Sequence, residues 1–396
     1  MKRRTFLKIS AVSPFIFQSF FCSRDSAWTQ FNPATEKQFD LLEVKGSYKQ
    51  IGYEIGHHFQ NQINAIIERR KDWHQNLLSI LNSDTGKSRS KELYQLTQRY
   101  FPYLLDEMRG IADGAGIDFN AFWAMSIKSE LGALEPEHPG CSTIVYNSEN
   151  QKWLFHNEDG HTAYHDIMFT VKVHPPSGVS FVSLVYPGIL TGNGPSLNSA
   201  GIVQTTNYIG SITSEIGLPR YIIGRAILEA KSLKEAEKIA MMHPRAYPYH
   251  HNLASFSEKK VLSVETVPGT AESKSPRGIF IHTNHLLYKT TMQYEYEDQK
   301  YKTTSSLSRY GVLAEQTQLL KDRKDLKPED FLNILASHER APYSPCRHPE
   351  GNVEGQTLGT AFFDLNKGEF RLYKGNPCEA VSNNFYSELN TEKTTT

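Results

Sequence analysis

Four cysteines, Cys22, Cys141, Cys346 and Cys378, are the side chains of this sequence best suited to covalent chemistry. They are too few and too scattered for a disulfide scaffold or a paired-thiolate zinc site, so each is judged alone. Cys141 lies between the turn Glu137-His138-Pro139-Gly140 and the Val/Ile-rich run Ser142 to Tyr146, where the pattern passes from helix to strand. A thiol there would be held on a rigid element and exposed at its end, which suits a nucleophile. The plainer alternative is a small buried hydrophobe. Cys346 and Cys378 either form a disulfide after export or remain separate buried thiols. His161 with His165, and His282 with His285, have ligand-like spacing, but HExxH and CxxC are both absent and no metal is expected. Gly192-Asn193-Gly194 begins like a dinucleotide loop and breaks off at Leu197, GxSxG is missing, and no cofactor is expected.

The elements that must hold such a thiol are legible as a change of period. Ser47 followed by Gln50 is a capping-box pattern, and Ile51, Ile55, Phe59, Ile63, Ile66 and Ile67 follow at helical spacing. A second helical run covers Lys91 to Ala112, broken or restarted at Pro102 and ended by Gly114 and Gly116. Asp118 is placed to cap a third, Phe119 to Leu134. From Ser142 the runs Ser142–Tyr146, Lys152–Asn157, Ile167–Val173, Val179–Tyr186 and Gly201–Tyr208 read as consecutive antiparallel strands. A helical block then begins at Pro219, with a second capping box at Ser232 and Glu235. Asn252–Glu258, Lys260–Val267 and Gly278–Asn284 are strands again, Ser305–Lys321 and Lys327–His338 helices, and Thr360–Leu365 with Glu369–Lys374 a closing hairpin. This succession gives an α+β fold of sheets with helices outside them, with no single linker dividing the chain.

The 396 residues carry 43 Lys+Arg against 43 Asp+Glu, which argues against a nucleic-acid surface. The first residues place Arg3 and Arg4 before Thr5, Phe6, Leu7 and Lys8, and an interrupted apolar stretch runs from Ala11 to Cys22. This order resembles a twin-arginine export signal, residues 1–28, which implies the twin-arginine machinery as a partner and a periplasmic or extracellular site of action. A basic N-terminus without that role is the alternative. Cys22 as a lipid-attachment residue is a minority reading, because Phe20 and Phe21 precede it.

Gly140-Cys141-Ser142-Thr143-Ile144-Val145-Tyr146, followed by Asn157-Glu158-Asp159, resembles the cleavage and nucleophile region of the isopenicillin N acyltransferase family. These are N-terminal nucleophile (Ntn) hydrolases related to the choloylglycine hydrolases and penicillin V acylases. Further blocks fall in family order: Leu197-Asn198-Ser199-Ala200-Gly201 leading to Thr206-Asn207-Tyr208, then His282-Thr283-Asn284-His285, then Ser306-Leu307-Ser308-Arg309. Gly46 to Gly52 with Gly56 is similar to the family's helical pro-segment, and Gly375-Asn376-Pro377 to its closing strand.

The resemblance implies an αββα four-layer sandwich of two antiparallel sheets between helices, a helical pro-segment over 29–140, and a catalytic chain 141–396 in the same structural domain. The precursor would cut itself between Gly140 and Cys141, giving the cysteine a free α-amine. That amine, with a pKa of about 8, would serve as the thiol's own base, and Gly140 would let the thiol approach the preceding carbonyl. Asp159 would hold the amine or thiol, Asn207 would donate to the oxyanion, Asn284 would orient the nucleophile or intermediate, and Arg309 would polarise the cysteine or hold Asp159. The residues alone also allow Asp159 as a strand-end cap at Gly160, the two asparagines as turn residues, and Arg309 as a helix-surface cation. Tyr164, Tyr186, Tyr208 and Tyr221 read as core or strand surface.

The expected activity is cleavage of a linear N-acyl amide of a small molecule through a Cys141 thioester, with transfer of the acyl group to an amine such as a β-lactam nucleus as the runner-up. A non-catalytic envelope binding protein is the reading of another class. Specificity and oligomeric state are not legible in the sequence.

Overall fold

The computed structural model describes residues 38–133, 140–210, 214–294, 304–381 and 386–389, and Glu36–Thr396 forms one compact unit. The twin-arginine motif, Cys22, the turn Glu137 to Pro139 and the C-terminal Thr tail lie outside the described residues. No described helix is long and apolar enough to cross a membrane.

The strands, in chain order, are β1 Asp40–Lys45, β2 Ser142–Asn147, β3 Lys152–His161, β4 Phe169–His174, β5 Phe181–Val185, β6 Ser196–Asn198, β7 Ile202–Tyr208, β8 Tyr249–Ser255, β9 Lys260–Val267, β10 Thr270–Lys274, β11 Gly278–His282, β12 Gly355–Asp364, β13 Glu369–Lys374 and β14 Tyr386–Glu388. They form an eight-stranded sheet, β1-β4-β5-β6-β7-β8-β9-β10, and a six-stranded sheet, β11-β2-β3-β12-β13-β14. The expected succession of neighbouring strands therefore breaks after β3. β2 and β3 pair as a hairpin in the smaller sheet, while β4 starts the run in the larger one. One pair is parallel, β1 with β4, so the segment before Cys141 supplies a strand as well as helices.

Side-chain alternation shows why the sheets stack. Across the β2–β3 pair, Ile144 opposite Phe155 faces a cluster with Phe331, Leu332 and Leu335 of the helix Pro328–Leu335. Val145 opposite Leu154 faces the opposite way, into the main core shared with Val182, Leu184, Val203 and Leu253 of the larger sheet. On that sheet's far side, Phe181 and Val185 meet Ile51, Ile55 and Phe59. The order is helix, six strands, eight strands, helix, as expected. Truncating a fully buried ring such as Phe331 to alanine would cost about 3–5 kcal/mol.

The capping box is made: Ser47 Oγ accepts the Gln50 N–H at 3.3 Å and Gln50 Oε1 accepts the Ser47 N–H at 3.0 Å, starting the helix Tyr48–His58. Pro102 opens the helix Pro102–Ala115, and Gly116 ends it in the left-handed region at φ 68°. Gly114 does not end it. It lies within the helix, where a Cβ would run into the backbone of Tyr53, just as one on Gly52 would strike the backbone of Glu107. These two helices cross in backbone contact, which only residues without a side chain permit. Beside the crossing, a fully buried Arg225 Nη2–Glu107 Oε2 pair at 2.8 Å fastens the pre-141 segment to the helix Arg220–Ile227.

Other departures are local. Asp118 caps a helix that stops at Ser126 rather than Leu134. The helix Lys71–Asn82 and the strand β10, unrecognised in the sequence, are formed. At Ser232 only half of the second box exists, because Glu235 accepts the Lys231 N–H instead of returning to Ser232.

Candidate active site

Cys141 immediately precedes β2, and its backbone is gripped on both sides. Its N–H donates to Asn284 Oδ1 at 2.9 Å, and its carbonyl accepts from Arg309 Nη1 at 2.6 Å. The same guanidinium donates to Ser142 Oγ at 3.0 Å and, through Nη2, to Asn284 Oδ1 at 2.7 Å. Asn284 follows β11 and donates its own amide to the Tyr208 carbonyl at 2.7 Å, which ties it to the end of β7 in the other sheet. Arg309, on the helix Thr304–Gln318, is only 1% exposed, so it is not a helix-surface cation. Gly140 has a spatial reason to be glycine: a Cβ there would fall on Arg309 Nη2 and press on Asn284 Oδ1. Two of the five expected residues, Asn284 and Arg309, therefore meet each other on the backbone of a third, Cys141.

The thiol is buried, not exposed at the strand end, and its side-chain partner is Glu158, the residue before Asp159. Cys141 Sγ donates to Glu158 Oε1 at 3.6 Å. Glu158 also accepts from the Tyr186 hydroxyl at 2.7 Å and contacts His156 Nε2 at 3.2 Å. Burial, then the charges of Glu158 and Asp159, push the Cys141 thiol well up. Asp159 sits within β3, so it is not a strand-end cap. One carboxylate oxygen accepts from Thr357 Oγ1 at 2.7 Å and the other is buried with no partner. Burial pushes Asp159 up to about 6, against the pull of Arg309 and Arg347. Arg347 is itself buried, with Nε and Nη1 lacking partners.

Asn207, on β7, has its amide oxygen fully engaged: it accepts from Thr143 Oγ1 at 3.1 Å, Asn252 Nδ2 at 3.0 Å and His250 Nδ1 at 3.0 Å. Its Nδ2 is buried and donates to nothing. A buried donor left unmade costs roughly 1–3 kcal/mol, so this unmet N–H is an unfavourable feature of the folded chain. Thr143, two residues after Cys141, couples this amide to the cysteine's own strand.

A pocket opens over the thiol, walled by Tyr164, Tyr186, Tyr208, Tyr221 and Tyr249 together with Glu158 and Asp159. The four tyrosines named in the sequence line the site, while Tyr164, Tyr186 and Tyr221 also belong to the buried core, as read. Arg220 closes the wall with its guanidinium 4.5 Å from the Tyr221 ring centre, 4.7 Å from Tyr208 and 5.0 Å from Tyr249. Its Nε and Nη1 are buried and unpartnered. Glu158 was within sight as the middle residue of the Asn157-Glu158-Asp159 run; Tyr186, Arg220 and Arg347 carried no signal beyond their residue types.

The two histidine pairs with ligand-like spacing each have other partners. His161 bonds Glu354 and His165 bonds Gln356, while His282 contacts Glu265 and His285 lies against Ser306. Gly192-Asn193-Gly194 serves the pocket instead, with Asn193 in its wall. No disulfide joins Cys346 and Cys378, yet the two are not scattered in space, because they approach each other beside His338 and His348.

Comparison with known proteins gives this geometry a family. A family model described as acyl-coenzyme A:6-aminopenicillanic acid acyl-transferase matches residues 146–379, a span that holds Asp159, Asn207, Asn284 and Arg309 and starts just beyond Cys141. The chain is 23% identical over 378 residues to a β-alanyl-dopamine/carcinine hydrolase of Drosophila melanogaster, covering 86% of this chain and 93% of the relative. It is 24% identical over 351 residues to the acyl-coenzyme A:6-aminopenicillanic-acid-acyltransferase 40 kDa form of Emericella nidulans, covering 86% and 95%. Both relatives are named as enzymes that break or form an amide bond. The chain belongs to the acyl-coenzyme A:6-aminopenicillanic acid acyltransferase family.

Proposed function

We propose that this protein is an Ntn amidohydrolase that cleaves itself between Gly140 and Cys141 and then hydrolyses the amide of a small N-acylated amine. The observation that carries this reading is the double grip on the Cys141 backbone. Asn284 Oδ1 already accepts the N–H that becomes the α-amine once the preceding bond is cut, and Arg309 already holds the carbonyl on the other side.

In the first step Cys141 Sγ attacks the Gly140 carbonyl and the peptide nitrogen leaves as the α-amine. Water then opens the resulting thioester, releasing a Gly140 carboxylate and regenerating the thiol. In the working enzyme the amine takes the thiol proton as Sγ attacks the substrate carbonyl, which suits a thiol that burial and two carboxylates keep from ionising alone. The tetrahedral oxygen finds its donor in Asn207 Nδ2. As the C–N bond breaks, the leaving amine takes that proton from the α-ammonium, and water then opens the acyl-thioester, releasing the acid and restoring the thiol. Removing one such donor commonly costs about 10²–10³ in kcat. Asp159, whose second oxygen is unpartnered, would receive an N–H of the new amine.

The two relatives bracket the substrate: one is named for hydrolysis of β-alanyl-dopamine and carcinine, the other for acylating 6-aminopenicillanic acid. For this chain the substrate would be an N-acyl amide with an anionic or carbonyl group facing the unpartnered N–H groups of Arg220, between tyrosine faces. Acyl transfer to an amine is the second reading, favoured by the second relative. The leader argues for hydrolysis, because an enzyme exported by the twin-arginine route meets little acyl-CoA. The test is a panel of penicillin V, conjugated bile acids and N-acyl amino acids, with and without an acceptor amine. Hydrolysis predicts free acid and free amine without acceptor and none from Cys141→Ala; product forming only with acceptor would establish transfer instead.

A further inference from the structure

On the helical side of the six-stranded sheet, four donor side chains come together from three stretches of chain. His338 follows the helix Pro328–Leu335, Cys346 and His348 flank Arg347 in the next loop, and Cys378 stands in the short helix after Asn376. One ligand atom from each lies within 4.8 Å of every other. His348 Nε2 is 3.5 Å from Cys346 Sγ and 3.4 Å from Cys378 Sγ, and the two imidazole centres are 5.0 Å apart.

These separations have a natural common centre. With zinc–sulfur bonds of about 2.3 Å and zinc–nitrogen bonds of about 2.0–2.1 Å, the sulfur-to-nitrogen edge of a tetrahedron is roughly 3.5 Å. A single ring nitrogen nearly equidistant from two sulfurs at that length, here a hydrogen-bond contact to each, matches the edge length of a shared tetrahedral ion. A disulfide would use the two sulfurs and leave both imidazoles without a reason to converge. We propose that His338, Cys346, His348 and Cys378 form a tetrahedral Cys2His2 site for a zinc ion.

The surroundings fit a structural ion. Asn376 Nδ2 donates to Cys346 Sγ at 3.6 Å, the kind of outer donor that steadies a ligating thiolate. Four protein ligands leave no open position for substrate or water, so the ion binds chain to chain rather than doing chemistry. What it fastens matters to the pocket. Arg347, between two ligands, donates its N–H to Thr357 Oγ1 at 2.9 Å and accepts Asn376 Nδ2 on its carbonyl at 2.5 Å. Thr357 in turn donates to Asp159. The ion would thus hold the loop whose backbone positions the partner of a catalytic carboxylate.

The test uses the full chain purified with reductant, equilibrated with zinc and freed of excess. Metal analysis should find roughly one zinc per chain, falling to about a tenth or less in Cys346→Ala and Cys378→Ala and unchanged in Cys141→Ala. Cobalt added to the stripped wild type should give the thiolate-to-cobalt charge-transfer band and tetrahedral ligand-field bands. Should the cysteine variants fail to fold, His338→Ala, at an exposed position, should weaken zinc binding at least about tenfold in competition with a chromophoric chelator. Absence of zinc and of the cobalt bands from the reduced wild type, or a Cys346–Cys378 disulfide in the mature protein, would overturn the proposal.

Discussion

The two thiol centres of this chain sit on the same six-stranded sheet and its flanking elements, yet their surroundings are opposite. Cys141 is buried beside Glu158 and near Asp159, so its thiolate is opposed from the start. Cys346 and Cys378 lie against imidazoles and the amide of Asn376, groups that stabilise a thiolate or share an ion with it. The same functional group is therefore steered to different chemistry by its neighbours. At Cys141 the surroundings favour the protonated thiol, which under the proposed mechanism would lose its proton only during attack; at the second centre the sulfurs lie within reach of two imidazoles, as the proposed zinc site needs. The distinction also separates the backbones. Both the N–H and the C=O of Cys141 are held by side chains, and the N–H belongs to the Gly140–Cys141 bond proposed to be cut.

Perturbations of Cys141's surroundings break or sharpen this contrast, and the largest effect belongs to Asn284. Asn284→Ala removes the acceptor of the Cys141 N–H and frees Arg309 Nη2, so self-cleavage and turnover should each slow by about 10²-fold or more. A time course of precursor loss on gels, with kcat from the processed fraction, checks it; cleavage at the normal rate would break the contrast. Next is Asp159. Burial raises it to about 6 in the folded chain from an ordinary 3.8. Between those values the folded chain keeps a proton that the unfolded chain has lost, so stability should fall as pH rises through the window and level off above about 6. The full difference is roughly 3 kcal/mol at most. Denaturant titrations of Cys141→Ala with and without Asp159→Asn should show the slope in the first and its loss in the second. The smallest effect is the most local. Glu158→Gln removes the nearest charge opposing the thiolate, so alkylation of Cys141 by iodoacetamide at neutral pH should rise a few-fold.

Much of this was legible in the sequence for identifiable reasons. The capping box at Ser47, the restart at Pro102 and the closing hairpin are written in local residue types, and they form as read. Cys141, Asn284 and Arg309 were found through ordered short blocks and do meet. What failed depends on tertiary contact. Nothing local tells that strands β4 to β10 join another sheet before β11 returns to the first, that Gly114 faces a helix backbone instead of ending its own, or that Glu158 rather than Asp159 touches the thiol. The Cys2His2 cluster is not legible in the sequence because its donors come from three separate stretches, and the one short spacing, Cys346-Arg347-His348, is not a zinc motif by itself.

The central claim is that Cys141 becomes an N-terminus. Intact-mass analysis with N-terminal sequencing of the purified wild type tests it most directly. Two chains should appear, the larger beginning at Cys141, and Cys141→Ala should remain a single chain. A wild type that stays whole under the same conditions, with Cys141 unlabelled by a thiol-reactive probe, would contradict the account and leave a family member without its nucleophile.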